Sequence, residues 1–138
     1  MLRKLTYWSL AIILISTQPS FAALNAYLKL TGETQGEIKG SVTQTGREDL
    51  ILIIGYDHIL TSSRDPATCF PTGTNHQPLQ ITKEIDLSTP FLLTAFANNE
   101  RLYDFTLRFW RPSQSGAEEQ YYTIELLNAR IVGIHQEC

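Results

Sequence analysis

Apolar and polar residues alternate with a period of two along most of the chain after position 22. Across residues 26–30, Ala26, Leu28 and Leu30 share one face while Tyr27 and Lys29 share the other, which is the pattern of a half-buried β-strand. Gly32 and Gly36 bracket a turn, and residues 37–42 alternate again, so a hairpin is predicted. Residues 50–54, Leu-Ile-Leu-Ile-Ile, are apolar on both faces. They predict a strand covered on each side, by a core and a neighbour or by a core and another subunit. Gly55 interrupts this run as a bulge would, and residues 56–60 resume the strand.

The pattern then lapses. Residues 61–78 hold Pro66, Pro71, Pro78, Gly73, Asn75 and several hydroxyl side chains, and predict a long loop without a regular element. A loop of that length in a small domain is functional or docked on something. Leu79, Ile81, Lys83 and Ile85 alternate with Gln80, Thr82 and Glu84 as a further strand. One helix is signalled, with Thr89 as N-cap, Pro90 at the first helical position, and Leu92, Leu93, Ala95 and Phe96 at spacings of three and four, ending at Asn98 and Asn99. Phe105, Leu107 and Phe109 alternate with Thr106, Arg108 and Trp110. Residues 112–116 turn the chain into a strand over 121–126, which continues or restarts over 129–134. The fold class is all-β with one short α-helix, and this number of antiparallel strands favours a small barrel or sandwich over an open sheet.

The first 22 residues break the alternation. Arg3 and Lys4 precede an apolar run from Leu5 to Ile15, and Pro19-Ser20-Phe21-Ala22 follows. A basic start, a short apolar stretch and small residues spaced S-x-A are the marks of a secretory signal peptide cleaved after Ala22. The run is shorter than the roughly 20 residues that cross a membrane as a helix. The expected division is therefore a signal peptide over 1–22 and one domain over 23–138, placed in the periplasm or outside the cell.

Composition narrows the function. The chain has 138 residues, 11 Lys and Arg against 14 Asp and Glu, and a net charge of -3, which excludes a multidomain enzyme and argues against a nucleic-acid surface. Cys69 and Cys138 leave two readings open, a disulfide in an oxidising compartment or two unrelated thiols. No G-x-S-x-G, H-E-x-x-H, phosphate loop, dinucleotide fingerprint or Cys/His cluster occurs, so no catalytic residue, metal or cofactor is expected. His58, His76 and His135 are spread along the chain and read as surface or hydrogen-bonding groups. Glu118 and Glu119 read as a solvated hairpin end, because adjacent strand residues point to opposite faces. Arg108, Trp110 and Arg111 read as an outer strand face. Nothing points to an enzyme or a small-molecule substrate.

Several longer stretches are more specific. His76-Gln-Pro-Leu-Gln-Ile-Thr-Lys-Glu-Ile-Asp-Leu-Ser-Thr-Pro90 with the helix after it, Gly36-Glu-Ile-Lys-Gly-Ser41, Asp65-Pro-Ala-Thr68, Pro71-Thr-Gly73, Phe109-Trp-Arg-Pro112 and Gln120-Tyr-Tyr-Thr-Ile-Glu-Leu126 resemble, in order, the haemolysin-coregulated protein (Hcp) family. That family supplies the tube subunit of bacterial type VI secretion systems. The resemblance implies a small antiparallel β-barrel with one helix packed on it. It also implies hexameric rings that stack into a tube beneath a spike, inside a contractile sheath, with effectors carried in the lumen, on a path from cytoplasm to exterior. The long loop would be an arm reaching the next ring, with Arg64, Asp65, Thr72, Asn75 and His76 as its contact residues. Two features depart from the family pattern. Tube subunits lack a cleavable export signal, and family members continue past Ile134 into strands that complete the barrel. A Cys69–Cys138 bridge would staple the resulting open edge. The alternative function is a secreted or periplasmic Hcp-like module that binds proteins outside any tube.

Overall fold

The structure, a computed structural model, describes residues 25–136. The expected signal peptide lies outside the described residues. The described residues form nine strands and one helix: β1 (Asn25–Gly32), β2 (Gly36–Ile38), β3 (Ile51–Ile53), β4 (Gly55–Asp57), β5 (Leu60–Arg64), β6 (Pro71–His76), β7 (Gln80–Thr82), α1 (Thr89–Ala97), β8 (Leu102–Pro112) and β9 (Glu118–Ala129). All pairings are antiparallel, and the all-β class with one short helix holds.

β1 is the centre of a five-stranded sheet. It pairs along its length with β8, which pairs with β9 on the far side. Its other edge is shared by two short strands set end to end, with Leu30 opposite Ile38 of β2 and Leu28 opposite Ile51 of β3. Alternation along β1, β3 and β8 sends Ala26, Leu28, Leu30, Ile51, Ile53, Phe105, Leu107 and Phe109 to one face, where they form the buried core with Ile38 and Leu102. Leu79, Ile81, Leu92, Ile124 and Leu126 pack around it. Removing this apolar surface from water at about 25 cal/mol per Å² is what holds the sheet together.

The strand expected over 37–42 stops at Ile38. At Gly40 the backbone runs against residues 50 and 51: Gly40 N donates to Asp49 O at 2.7 Å, and Val42 N to Leu50 O at 3.3 Å. A Cβ on Gly40 would meet Leu50 O and would lie 2.6 Å from Ile51 Cα, both backbone atoms that cannot swing away. Gly40→Ala should therefore lower stability by about 1–3 kcal/mol, read as a drop in the urea midpoint.

Four further expectations are corrected. Residues 61–78 hold the hairpin β5–β6 rather than a loop. After Leu60 both strands are without large apolar side chains, so no apolar period marked them, and Pro71 is tolerated as the first residue of β6. Residues 56–60 are not one strand, since β4 pairs with β7 and the chain then leaves to begin β5. The strand expected over 79–85 is confined to Gln80–Thr82. Residues 130–134 form no strand; Asn128, at φ 55°, turns the chain as β9 ends.

In α1 the N-cap is Ser88, not Thr89. Ser88 N and Oγ both donate to Asp86 Oδ1, at 2.9 and 2.6 Å, and Lys83 Nζ reaches the same oxygen at 2.7 Å. Burial opposes the Asp86 charge, but the hydrogen bonds from Lys83 and Ser88 outweigh it and hold its pKa below the usual value.

Candidate self-assembly interface

Arg64, Asp65, Thr72, Asn75 and His76 come together on the β5–β6 hairpin, whose eleven strand residues are all exposed. They do not play one role. Asp65 Oδ1 accepts the backbone N–H groups of Ala67 and Thr68 at 2.7 and 3.0 Å, while Cys69 N donates to Asp65 O at 2.9 Å and Asp65 N to Phe70 O at 3.0 Å. The amides of Thr68 and then Ala67 hold the Asp65 carboxyl below its ordinary pKa. Asp65 builds the tip, and its short polar side chain does what Asp does in turns. Thr72 Oγ1 donates across the hairpin to Ser63 O at 3.0 Å. The His76 ring stacks on His58, 5.5 Å between centroids and 28° apart. Arg64 and Asn75 stand exposed on the strands.

The tip presents two residues that the sequence did not single out for contact. Phe70 is 72% exposed. Beside it, Cys69 is exposed in the left-handed backbone region, at φ 57°. Cys138, the other half of the expected bridge, lies outside the described residues.

On the second face of the sheet, residues 39–50 leave β2, fold back and return as β3. They are pinned there by Arg47, which alternation along the strands could not have revealed because it sits in a polar loop. Its guanidinium lies 3.8 Å over the Trp110 ring and 4.9 Å from the centre of the Tyr27 ring, and its NH2 nitrogen pairs with Glu118 Oε2 at 2.6 Å. Gln44 closes the network, accepting from Tyr27 Oη at 2.8 Å and donating to Glu118 at 3.0 Å. Tyr27, expected on the open face, is therefore buried, and so is Arg47. Trp110, expected on an outer strand face, has its indole N–H buried with no hydrogen-bond acceptor among the described residues. Glu118 and Glu119 serve different cations, Glu119 binding Arg111 at 2.8 Å.

A buried carboxylate organises the opposite end. Glu100 Oε1 accepts Thr34 N at 2.7 Å and Gln35 N at 2.9 Å, and Oε2 accepts Gln35 Nε2 at 2.8 Å. The Gln35 amide, ahead of the opposing effect of burial, lowers its pKa from 4.5. A depressed carboxylate pKa adds stability that is present above the unfolded value and is lost as pH falls through the folded one. Glu100→Gln should therefore cost about 1–2 kcal/mol at pH 7. The gap between the two proteins should close below about pH 4 in denaturation curves run across pH.

Several large apolar side chains are exposed on the rest of the surface. The run at residues 50–54 is buried on one side only: Ile51 and Ile53 enter the core, whereas Leu52 and Ile54 are 38% and 60% exposed. Ile54 and Tyr56 join Phe109, Tyr121 and Tyr122 along a groove of about 330 Å³. Phe91, Leu93 and Phe96 stand out on α1. Among the described residues no group of three His, Cys, Asp or Glu side chains could hold a metal ion, and no helix is long and apolar enough to cross a membrane.

An antiparallel β-protomer with an exposed hairpin arm and several uncovered apolar patches defines a class, that of structural proteins built to be assembled. The chain belongs to the type VI secretion system effector Hcp family, whose model matches residues 27–138. It is 38% identical over 122 residues to the major exported protein of Pseudomonas aeruginosa strain PAO1, covering 81% of this chain and 71% of that one. Among solved structures it is similar to the Hcp1 protein of Escherichia coli EAEC 042, with TM-score 0.73 and 32% identity over 80% of this chain and 75% of that chain. A crystal structure of an Hcp protein aligns with TM-score 0.75 and 30% identity, covering 82% of this chain and 73% of its own.

Proposed function

We propose that this chain is a non-catalytic, ring- and tube-forming protomer of the type VI secretion class. Six copies close into a ring through head-to-tail contacts, since a heterologous interface whose rotation closes gives a cyclic assembly. Rings stack through the β5–β6 hairpin, with Arg64, Asn75 and His76 as contacts and Phe70 as the apolar anchor at the tip. Asp65 and Thr72 shape the hairpin rather than touch the neighbour. The observation that carries this reading is the hairpin itself, two strands exposed along their whole length that no other described residues cover. Partners are further copies first, then a spike, a sheath and effectors held in the lumen.

The basic start and short apolar run favour a second reading, in which residues 1–22 direct export and residues 23–138 form a single Hcp-like domain that binds proteins outside the cytosol and takes no part in a tube. Two measurements test these statements. Negative-stain electron microscopy of the purified domain should show six-fold rings, and featureless single particles would refute the assembly. N-terminal sequencing of the exported protein should begin at Ala23, and an intact Met1 in the cytosol would refute the export.

A further inference from the structure

We propose that His58 and His76 are the two protein ligands of a transition-metal site, of the class that takes Zn²⁺, Cu²⁺ or Ni²⁺, and that the bound ion locks the joint from which the β5–β6 hairpin springs. The site lies within one protomer and does not rest on the tube reading.

The backbone defines the joint. The stretch that runs from β4 into β5 and the stretch that runs from β6 into β7 lie side by side in two separate ladders, β5–β6 and β4–β7. Leu60 faces His76 in the first and Tyr56 faces Ile81 in the second, so four steps along one stretch are matched by five along the other. One residue is left over between the ladders, as in a β-bulge, and a bulge bends its strand and re-aims side chains. Gln77 N donates to Ile59 O at 3.0 Å across this joint.

The two imidazoles stand there together. His58 is two residues before Leu60, the residue opposite His76, which makes the two side chains diagonal neighbours on one face. Their ring centroids are 5.5 Å apart and the rings lie 28° from parallel. Two imidazoles on one tetrahedral ion, each nitrogen about 2.0–2.1 Å from the metal, hold their centroids about 5 Å apart. The spacing therefore fits, and rotation of the rings about their side-chain bonds brings a nitrogen of each to bear on the ion. His58 is half-buried and His76 exposed, so one ligand is held by its surroundings and the other is open to the entering metal.

Imidazole nitrogen suits Zn²⁺, Cu²⁺ and Ni²⁺, whereas Ca²⁺ and Mg²⁺ require oxygen ligands. Among the described residues no third His, Cys, Asp or Glu completes a metal-binding group, so water fills the other positions and the ion exchanges freely. Two ligands hold an ion far less tightly than four, and half-saturation is expected on the order of 10–100 µM zinc. Once bound, the ion ties the start of β5 to the end of β6 and fixes the angle of the hairpin.

Isothermal titration calorimetry of the full chain in a Cys69→Ser, Cys138→Ser background, with zinc chloride as the probe, should show one ion per chain. His58→Ala and His76→Ala should each weaken binding at least tenfold with the circular-dichroism spectrum unchanged. His135→Ala should leave binding as it is, and magnesium chloride should give no saturable heat. Zinc should also slow hydrogen exchange of the Gln77 amide, an effect lost in either variant. Binding that survives both substitutions overturns the proposal, and so does binding lost with only one of them, since that is a single imidazole contact. An equal response to magnesium, or a Gln77 amide indifferent to zinc, overturns it as well. Zinc uptake by a chain that forms no rings supports this inference and counts against the tube reading, whereas rings from a chain that takes up no zinc overturn this inference alone.

Discussion

Phe70→Asp should leave the protomer folded and abolish stacking of rings. The side chain stands at the hairpin tip, 72% exposed, and no aromatic contact joins it to the described residues, so its loss removes nothing from the core. Aromatic anchors buried at the centre of an interface carry a disproportionate part of binding, commonly 2–4 kcal/mol on truncation. A carboxylate in the same pocket adds a desolvation penalty, so association should fall by at least a hundredfold. Measured by light scattering and electron microscopy, the variant should give single rings with unchanged thermal stability. Tubes of normal length would show that the tip does not reach the next ring. Arg64→Glu, at an exposed strand position, should weaken stacking less and in a salt-dependent way.

Arg47→Ala should destabilise the protomer by about 2–4 kcal/mol, a shift of roughly 10 °C in Tm. The change removes a guanidinium that covers Trp110 and Tyr27, and desolvated cation–π contacts are worth about 2 kcal/mol. It also frees Glu118 and Gln44 and opens a void beneath residues 39–50. Arg47→Lys should recover less than half of the loss, because an ammonium cannot lie flat on the indole while binding the carboxylate and the tyrosine hydroxyl together. A variant as stable as the parent would mean that the loop is held by the backbone bonds at Gly40 and Asp49 alone.

Much of the fold was legible along the chain. Wherever a strand has one face in the core, period-two alternation named the correct side chains: Ala26, Leu28 and Leu30 in β1, and Phe105, Leu107 and Phe109 in β8. The helix could be read because Pro90 and its apolar spacing are local signals. The hairpin β5–β6 escaped for the opposite reason, since a strand with no buried face has no pattern to display. Its residues could still be singled out, because resemblance to family motifs works on identity rather than on periodicity.

What the amino-acid order determined by itself is the set of strands that bury a face, the single helix and the family, since each is written in neighbouring residues. The tertiary structure alone decided that residues 39–50 fold back so that Arg47 covers Tyr27 and Trp110, that Glu100 binds the turn at Thr34 and Gln35, and that the Asp65 carboxylate holds the hairpin tip. It also decided that β1, rather than β8, lies at the centre of the main sheet, between β8 and the short strands β2 and β3. Each of these joins groups far apart in sequence, or depends on which strand lies beside which, and the energy of such a contact exists only after the chain has closed on itself.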